Sequence, residues 1–93
     1  MKTRKFDVAE MLETDEDIRE FLTEASATGT YEEFIHALET AARAKGMTEV
    51  AKKAGVTRAS LYKSLSANGN PRFETISKIV DALGGRLAVV GHN

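Results

Sequence analysis

Two short amphipathic segments, separated by three residues, constrain this chain more than any other feature. "MTEVAKKA" (Met47–Ala54) puts Val50, Ala51 and Ala54 on one face, and "RASLYKSLS" (Arg58–Ser66) puts Leu61 and Leu65 one turn apart. Neither is long enough to hold a helix by itself in water. Each must therefore pack on the other and on a larger body. The "GVT" between them suits that requirement. Gly55 tolerates positive φ, as a sharp turn demands. Two helices joined by so short a turn cross near perpendicular, and the small Ala51 side chain allows a close crossing. Val56 and Leu61 fill the core behind the turn, and Thr57 is placed to cap the second helix.

The packing fixes one face of the second segment inward and projects the other. That outer face is chemically one-sided. From Gly55 to Ser66 the sequence "GVTRASLYKSLS" holds no acid, whereas a merely solvated helix in this chain would carry Glu or Asp. Arg58, Ala59, Ser60, Tyr62 and Lys63 stand near the helix start, with nothing among them to repel a phosphate. Arginine grips guanine through two hydrogen bonds, hydroxyls bond bases or phosphates, and an alanine methyl meets a thymine methyl. Lys53 and its neighbour Lys52 suit the phosphate backbone, where contacts position without specifying. Thr48 before the turn and Asn68 in the following loop complete the candidate DNA-binding set of Thr48, Lys53, Thr57, Arg58, Ala59, Ser60, Tyr62, Lys63 and Asn68. The bland alternative is a solvated face, to which Lys52 and Lys53 are as well suited as to phosphate.

The rest of the chain supplies the body. "TDEDIREFLTEASATG" opens with cap residues at Thr14 or Asp15, carries Asp15, Glu16 and Asp17 where they complement the helix dipole, and lines up Ile18, Phe21, Leu22 and Ala25. Gly29 stops it. "TYEEFIHALETAARAKG" has Thr30 and Glu33 at capping-box spacing, then Tyr31, Phe34, Ile35, Leu38, Ala41 and Ala42 on one face, closed by Gly46. "RFETISKIVDALGG" directs Phe73, Ile76, Ile79, Val80 and Leu83 inward, after an "ANGNP" loop. "FDVAEML" (Phe6–Leu12) fits either a short helix or an extended arm. "RLAVV" (Arg86–Val90) reads as a short strand. A strand needs an edge to pair with. Arg4–Phe6 is one candidate, a second copy across a two-fold axis is another, and a frayed tail with Leu87 and Val89 tucked against the helices is the third reading. The expected organisation is an acidic arm and helix over 1–29, a helical bundle over 30–84 containing the 47–66 pair, and a strand and tail over 85–93.

Several function classes fall away. The chain has 93 residues, no Cys and two His, His36 and His92, far apart in sequence. Disulfides and thiolate metal sites are impossible, and neither a catalytic base–nucleophile pair, a metal cluster nor a glycine-rich phosphate loop is visible. No enzyme activity, metal or cofactor is expected. No apolar run is long enough to span a membrane, and no continuous apolar stretch follows the basic N-terminus, so a cytoplasmic protein is expected. A Cys-free domain of this size has a limited core, which favours a homodimer. The net charge of −1 divides unevenly: residues 1–46 carry −5 and residues 47–93 carry +4. Such a division suggests two surfaces with different partners.

"GMTEVAKKAGVTRASLYKSLS", "NGNPRFETISKIVDALG" and "FDVAEMLETDEDIREFL" together resemble the addiction-module antidote family, HigA-like antitoxins of type II toxin–antitoxin systems. The resemblance runs from about Phe6 to Val90, departing at Gly84–Gly85, where a single Gly followed by an apolar or basic residue is the family pattern. It implies an all-α, lambda-repressor-like (Xre) helix-turn-helix bundle of five to six short helices with a short C-terminal β-strand. It also implies a homodimer that binds double-stranded operator DNA, represses its own promoter and neutralises a RelE/ParE-like toxin, with Thr57, Arg58, Ser60, Tyr62 and Lys63 at or near DNA. Toxins of that fold are typically basic, and an acidic surface complements them. Glu10, Glu13, Asp15, Glu16, Asp17, Glu20 and Glu24 form the densest acidic run. Phe6, Met11, Leu12, Glu13 and Asp17 are therefore the expected toxin contacts. The competing readings are a stand-alone Xre-type or prophage regulator without a toxin, and an interaction module that no longer binds DNA.

Overall fold

The structure, a computed structural model, describes residues 7–91. Five α-helices follow one 3-10 turn at Val8–Met11: α1 (Asp15–Thr28), α2 (Tyr31–Lys45), α3 (Met47–Ala54), α4 (Arg58–Ser64) and α5 (Phe73–Ala82). The first two helices begin as their sequences require. Thr14 Oγ1 accepts the Asp17 N–H at 3.0 Å while Asp17 accepts the Thr14 N–H at 3.1 Å; Thr30 and Glu33 repeat the exchange at 3.2 and 2.8 Å. Each such box supplies partners for two N–H groups that the helix itself leaves unpaired.

Helix α1 lies along α2, α3 packs against both α2 and α5, and α4 packs on α3. Their shared core centres on Leu38, Val50, Leu61, Ile79 and Leu83, all essentially without solvent contact. Burial of a side chain of this kind contributes ~1.5–3 kcal/mol. Around them stand Ala37, Ala41, Ala42, Ala51 and Ala54, also buried. Small residues on α2 and α3 let the helix axes approach. The one buried polar residue among those described, Thr40, donates its hydroxyl to the His36 carbonyl at 3.1 Å.

Two expectations are corrected. Phe73 is 72% exposed. It continues the Ile76–Ile79–Val80–Leu83 stripe, but it is the first residue of α5, where the stripe runs past the body it packs on. Residues 86–90 form no strand, and there is no strand anywhere among the described residues. Leu87 packs against the core, while Val89 and Val90 stand at 101% and 79% exposure. β-branched residues favour a strand only where an edge receives their backbone groups, and nothing in the described chain offers one. The Arg4–Phe6 partner considered for this segment lies outside the described residues.

Candidate nucleic-acid interface

Helix α3 ends in a tight turn. Gly55 sits in the left-handed region (φ 75°, ψ 29°), and the Val56 N–H returns to the Ala51 carbonyl at 3.0 Å. This closure satisfies end carbonyls of α3 and redirects the chain within three residues. Thr57 then caps α4: its Oγ1 accepts the Ser60 N–H at 3.0 Å and donates to Ser60 Oγ at 2.9 Å. Leu61 on the inner side is buried, and Val56 packs half-buried behind the turn. Anchored there, α4 turns Arg58, Ala59, Ser60, Tyr62 and Lys63 to solvent. Thr48, Lys53, Thr57 and Asn68 are exposed as well.

Their relations differ. Arg58 Nη1 donates to Thr48 Oγ1 at 3.1 Å and Nη2 donates to the Tyr62 hydroxyl at 3.2 Å, with the guanidinium carbon 5.5 Å from the Tyr62 ring centre. Residues ten positions apart in sequence are thus joined across the turn. Lys53 pairs with Glu49 one turn earlier, at 3.2 Å. Asn68 lies apart, in the loop after α4, where Gly69 follows it. A side chain at Gly69 would run into the carbonyls of Lys63 and Ser64.

Beside this cluster lies an open groove of about 620 Å³, bordered by Asp7, Glu10, Arg43, Thr48, Arg58 and Tyr62. Arg43 was not singled out as a site residue by sequence. Its link to Glu39 (2.6 Å) is an ordinary one-turn pair, but its 2.7 Å contact with Asp7 spans 36 residues and has no local signature. The hydrogen bonds that Arg43 donates to Asp7 and Glu39 hold its guanidinium even more firmly protonated than usual. The N-terminal arm is thereby fastened to α2 at the edge of the α3–α4 surface.

The expected toxin contacts are dispersed among different tasks. Met11 is 61% exposed. Leu12 instead packs against the core. Asp17 Oδ2 accepts both the Glu13 and Thr14 N–H groups, so it serves the start of α1. The Glu13 side chain remains at the surface. Phe6 lies outside the described residues.

A family model described as "Probable addiction module antidote protein" matches residues 2–91. The chain belongs to this family. An uncharacterised protein of Haemophilus influenzae (strain ATCC 51907 / DSM 11121 / KW20 / Rd) is 42% identical to it over 80 residues, which is 86% of this chain and 82% of that protein. No solved structure matches. A family of antidotes implies a toxin as partner and a regulatory role. Among the described residues, no helix is long and apolar enough to cross a membrane.

Proposed function

We propose that this protein is a DNA-binding antitoxin, acting in the cytoplasm as a homodimer, that represses its own promoter and neutralises a RelE/ParE-like toxin. The observation that carries the DNA half is the projected face of α4: anchored from behind by Leu61, free of acid, and furnished with Arg58, Ser60, Tyr62 and Lys63. In this reading α3 and α4 form a lambda-repressor-like (Xre) helix-turn-helix. Helix α4 enters the major groove, Arg58 reads a base, and Thr57 and Lys63 meet the backbone with Lys53. Two copies place their α4 helices one helical turn apart on a pseudo-palindrome. The toxin half draws on the family and on the acids of α1 and the preceding arm, with Met11 and Glu13 as the accessible contacts.

A titration of the purified protein against a duplex of its own promoter, with random DNA as competitor at two salt concentrations, tests this. Specific, salt-sensitive binding by a dimer is the expected outcome. Binding no tighter than to random DNA, with or without the product of the neighbouring gene, overturns the repressor reading. Specific binding by a protein whose neighbouring genes encode no inhibited partner points to a stand-alone regulator.

A further inference from the structure

The arrangement around Arg58 carries more than a charge on a recognition helix. A free arginine side chain samples many rotamers and loses that freedom on binding. Here both terminal nitrogens are already engaged, one by Thr48 from α3 and one by Tyr62 from the next turn of α4, and the ring of Tyr62 lies within cation–π range. The fork is held before any ligand arrives. Its five N–H donors exceed the two that the hydroxyls accept, so donors remain to face outward. Each hydroxyl, having accepted from the guanidinium, keeps its own O–H to donate. The trio therefore presents a surface rich in donors. In the major groove guanine offers two adjacent acceptors, N7 and O6, whereas adenine sets an amino donor beside N7 and cytosine presents a donor.

We propose that Thr48 and Tyr62 are positioning residues that brace Arg58 for a guanine, so that the Thr48–Arg58–Tyr62 trio sets the base preference, not Arg58 alone. The inference rests on the reading of α4 as a DNA-contacting helix and assigns its specificity. It also gives the two hydroxyls a role distinct from phosphate binding: they act across the α3–α4 turn, and the base they select is one the arginine touches.

The test uses the full chain. Wild type, Arg58→Lys, Tyr62→Phe and Thr48→Val are each taken through selection from a duplex library with a randomised centre. They are then titrated against the wild-type-selected duplex, the same duplex with 7-deazaguanine or adenine at the enriched guanine, and a random duplex. Tyr62→Phe keeps the ring and removes one exposed hydroxyl, so the fold is preserved. The expected result is a fixed guanine in each selected half-site, a loss on 7-deazaguanine substitution, and loss of the preference in Arg58→Lys. Tyr62→Phe and Thr48→Val each reduce the guanine-over-adenine preference about fivefold, a larger factor than any loss on the random duplex. A full guanine preference in both hydroxyl variants overturns the brace, as does equal loss on selected and random DNA, which makes the hydroxyls phosphate contacts. A fixed base other than guanine at the Arg58-dependent position also overturns it, while leaving the DNA reading intact. No enrichment by wild type removes the DNA reading and the brace together.

Discussion

Arg58 and Lys53 carry the same charge, yet their surroundings give them different work. Arg58 is oriented by two hydroxyls, whereas Lys53 has a flexible exposed pair with Glu49. Arg58→Ala is expected to weaken operator binding by ~1–3 kcal/mol and to relax one base position. Equal losses on operator and random DNA, measured in parallel titrations, refute base reading. Lys53→Ala is expected to lower affinity on all sequences and to flatten the salt dependence by about one unit of slope. The effect on affinity is small because Lys53 exchanges one acidic partner for another. Gly55 tests the turn itself. A Cβ there meets nothing within 4 Å, so the cost of Gly55→Ala comes from the left-handed backbone alone, about 1–2 kcal/mol in urea unfolding. Gly69→Ala faces carbonyl oxygens and is expected to cost more than Gly55→Ala in the same assay. A smaller loss at Gly69 shows that the loop yields without strain.

Between α1 and α2 the informative contact is Lys45 Nζ to Asp15 Oδ1 at 2.6 Å, which joins the start of one helix to the end of the other. The hydrogen bond from Lys45, then its charge, holds the Asp15 carboxyl below the usual carboxylate range. A carboxyl depressed in the folded state contributes stability that is full above its unfolded pKa and is lost as pH falls through its folded pKa. Asp15→Asn is therefore expected to be less stable than wild type at neutral pH, with the difference closing in acid below the carboxylate range and shrinking in high salt. Thermal unfolding across that pH series checks it; a difference independent of pH assigns the effect to something other than this pair. The helices were legible in sequence because their signals are local. Thr14, Asp17, Thr30 and Glu33 act over three residues, and Gly29, Gly46 and Gly55 end helices where the apolar stripes stop. Phe73 and Arg86–Val90 misled for the opposite reason. A stripe or an alternation says what a segment wants to bury, while the presence of a partner is decided elsewhere in the chain.

The charge division becomes spatial in the folded molecule. The acidic N-terminal arm, fastened by Asp7 to Arg43, borders the same groove as Arg58 and Tyr62. The excess of acid in the first half was plain in the sequence, but its adjacency to α4 depends on a 36-residue contact that no periodicity encodes. Adjacency has a thermodynamic consequence if the proposed function holds. Asp7 and Glu10 line that groove together with Arg43, Thr48, Arg58 and Tyr62. On the proposed function, a basic toxin docked on Met11 and Glu13 adds positive charge beside the duplex. Toxin is thus expected to tighten operator binding by roughly fivefold or more, within the ordinary range of coupling between sites, and DNA must tighten toxin binding by the same factor. Glu13→Gln, which removes the side-chain charge and keeps the N–H that Asp17 accepts, is expected to weaken toxin binding with little change in the folding transition. Titrating operator with and without toxin, and toxin with and without operator, closes the cycle. Equal factors above unity establish the coupling; toxin that loosens the operator complex shows that it competes with DNA for the groove instead of bridging it.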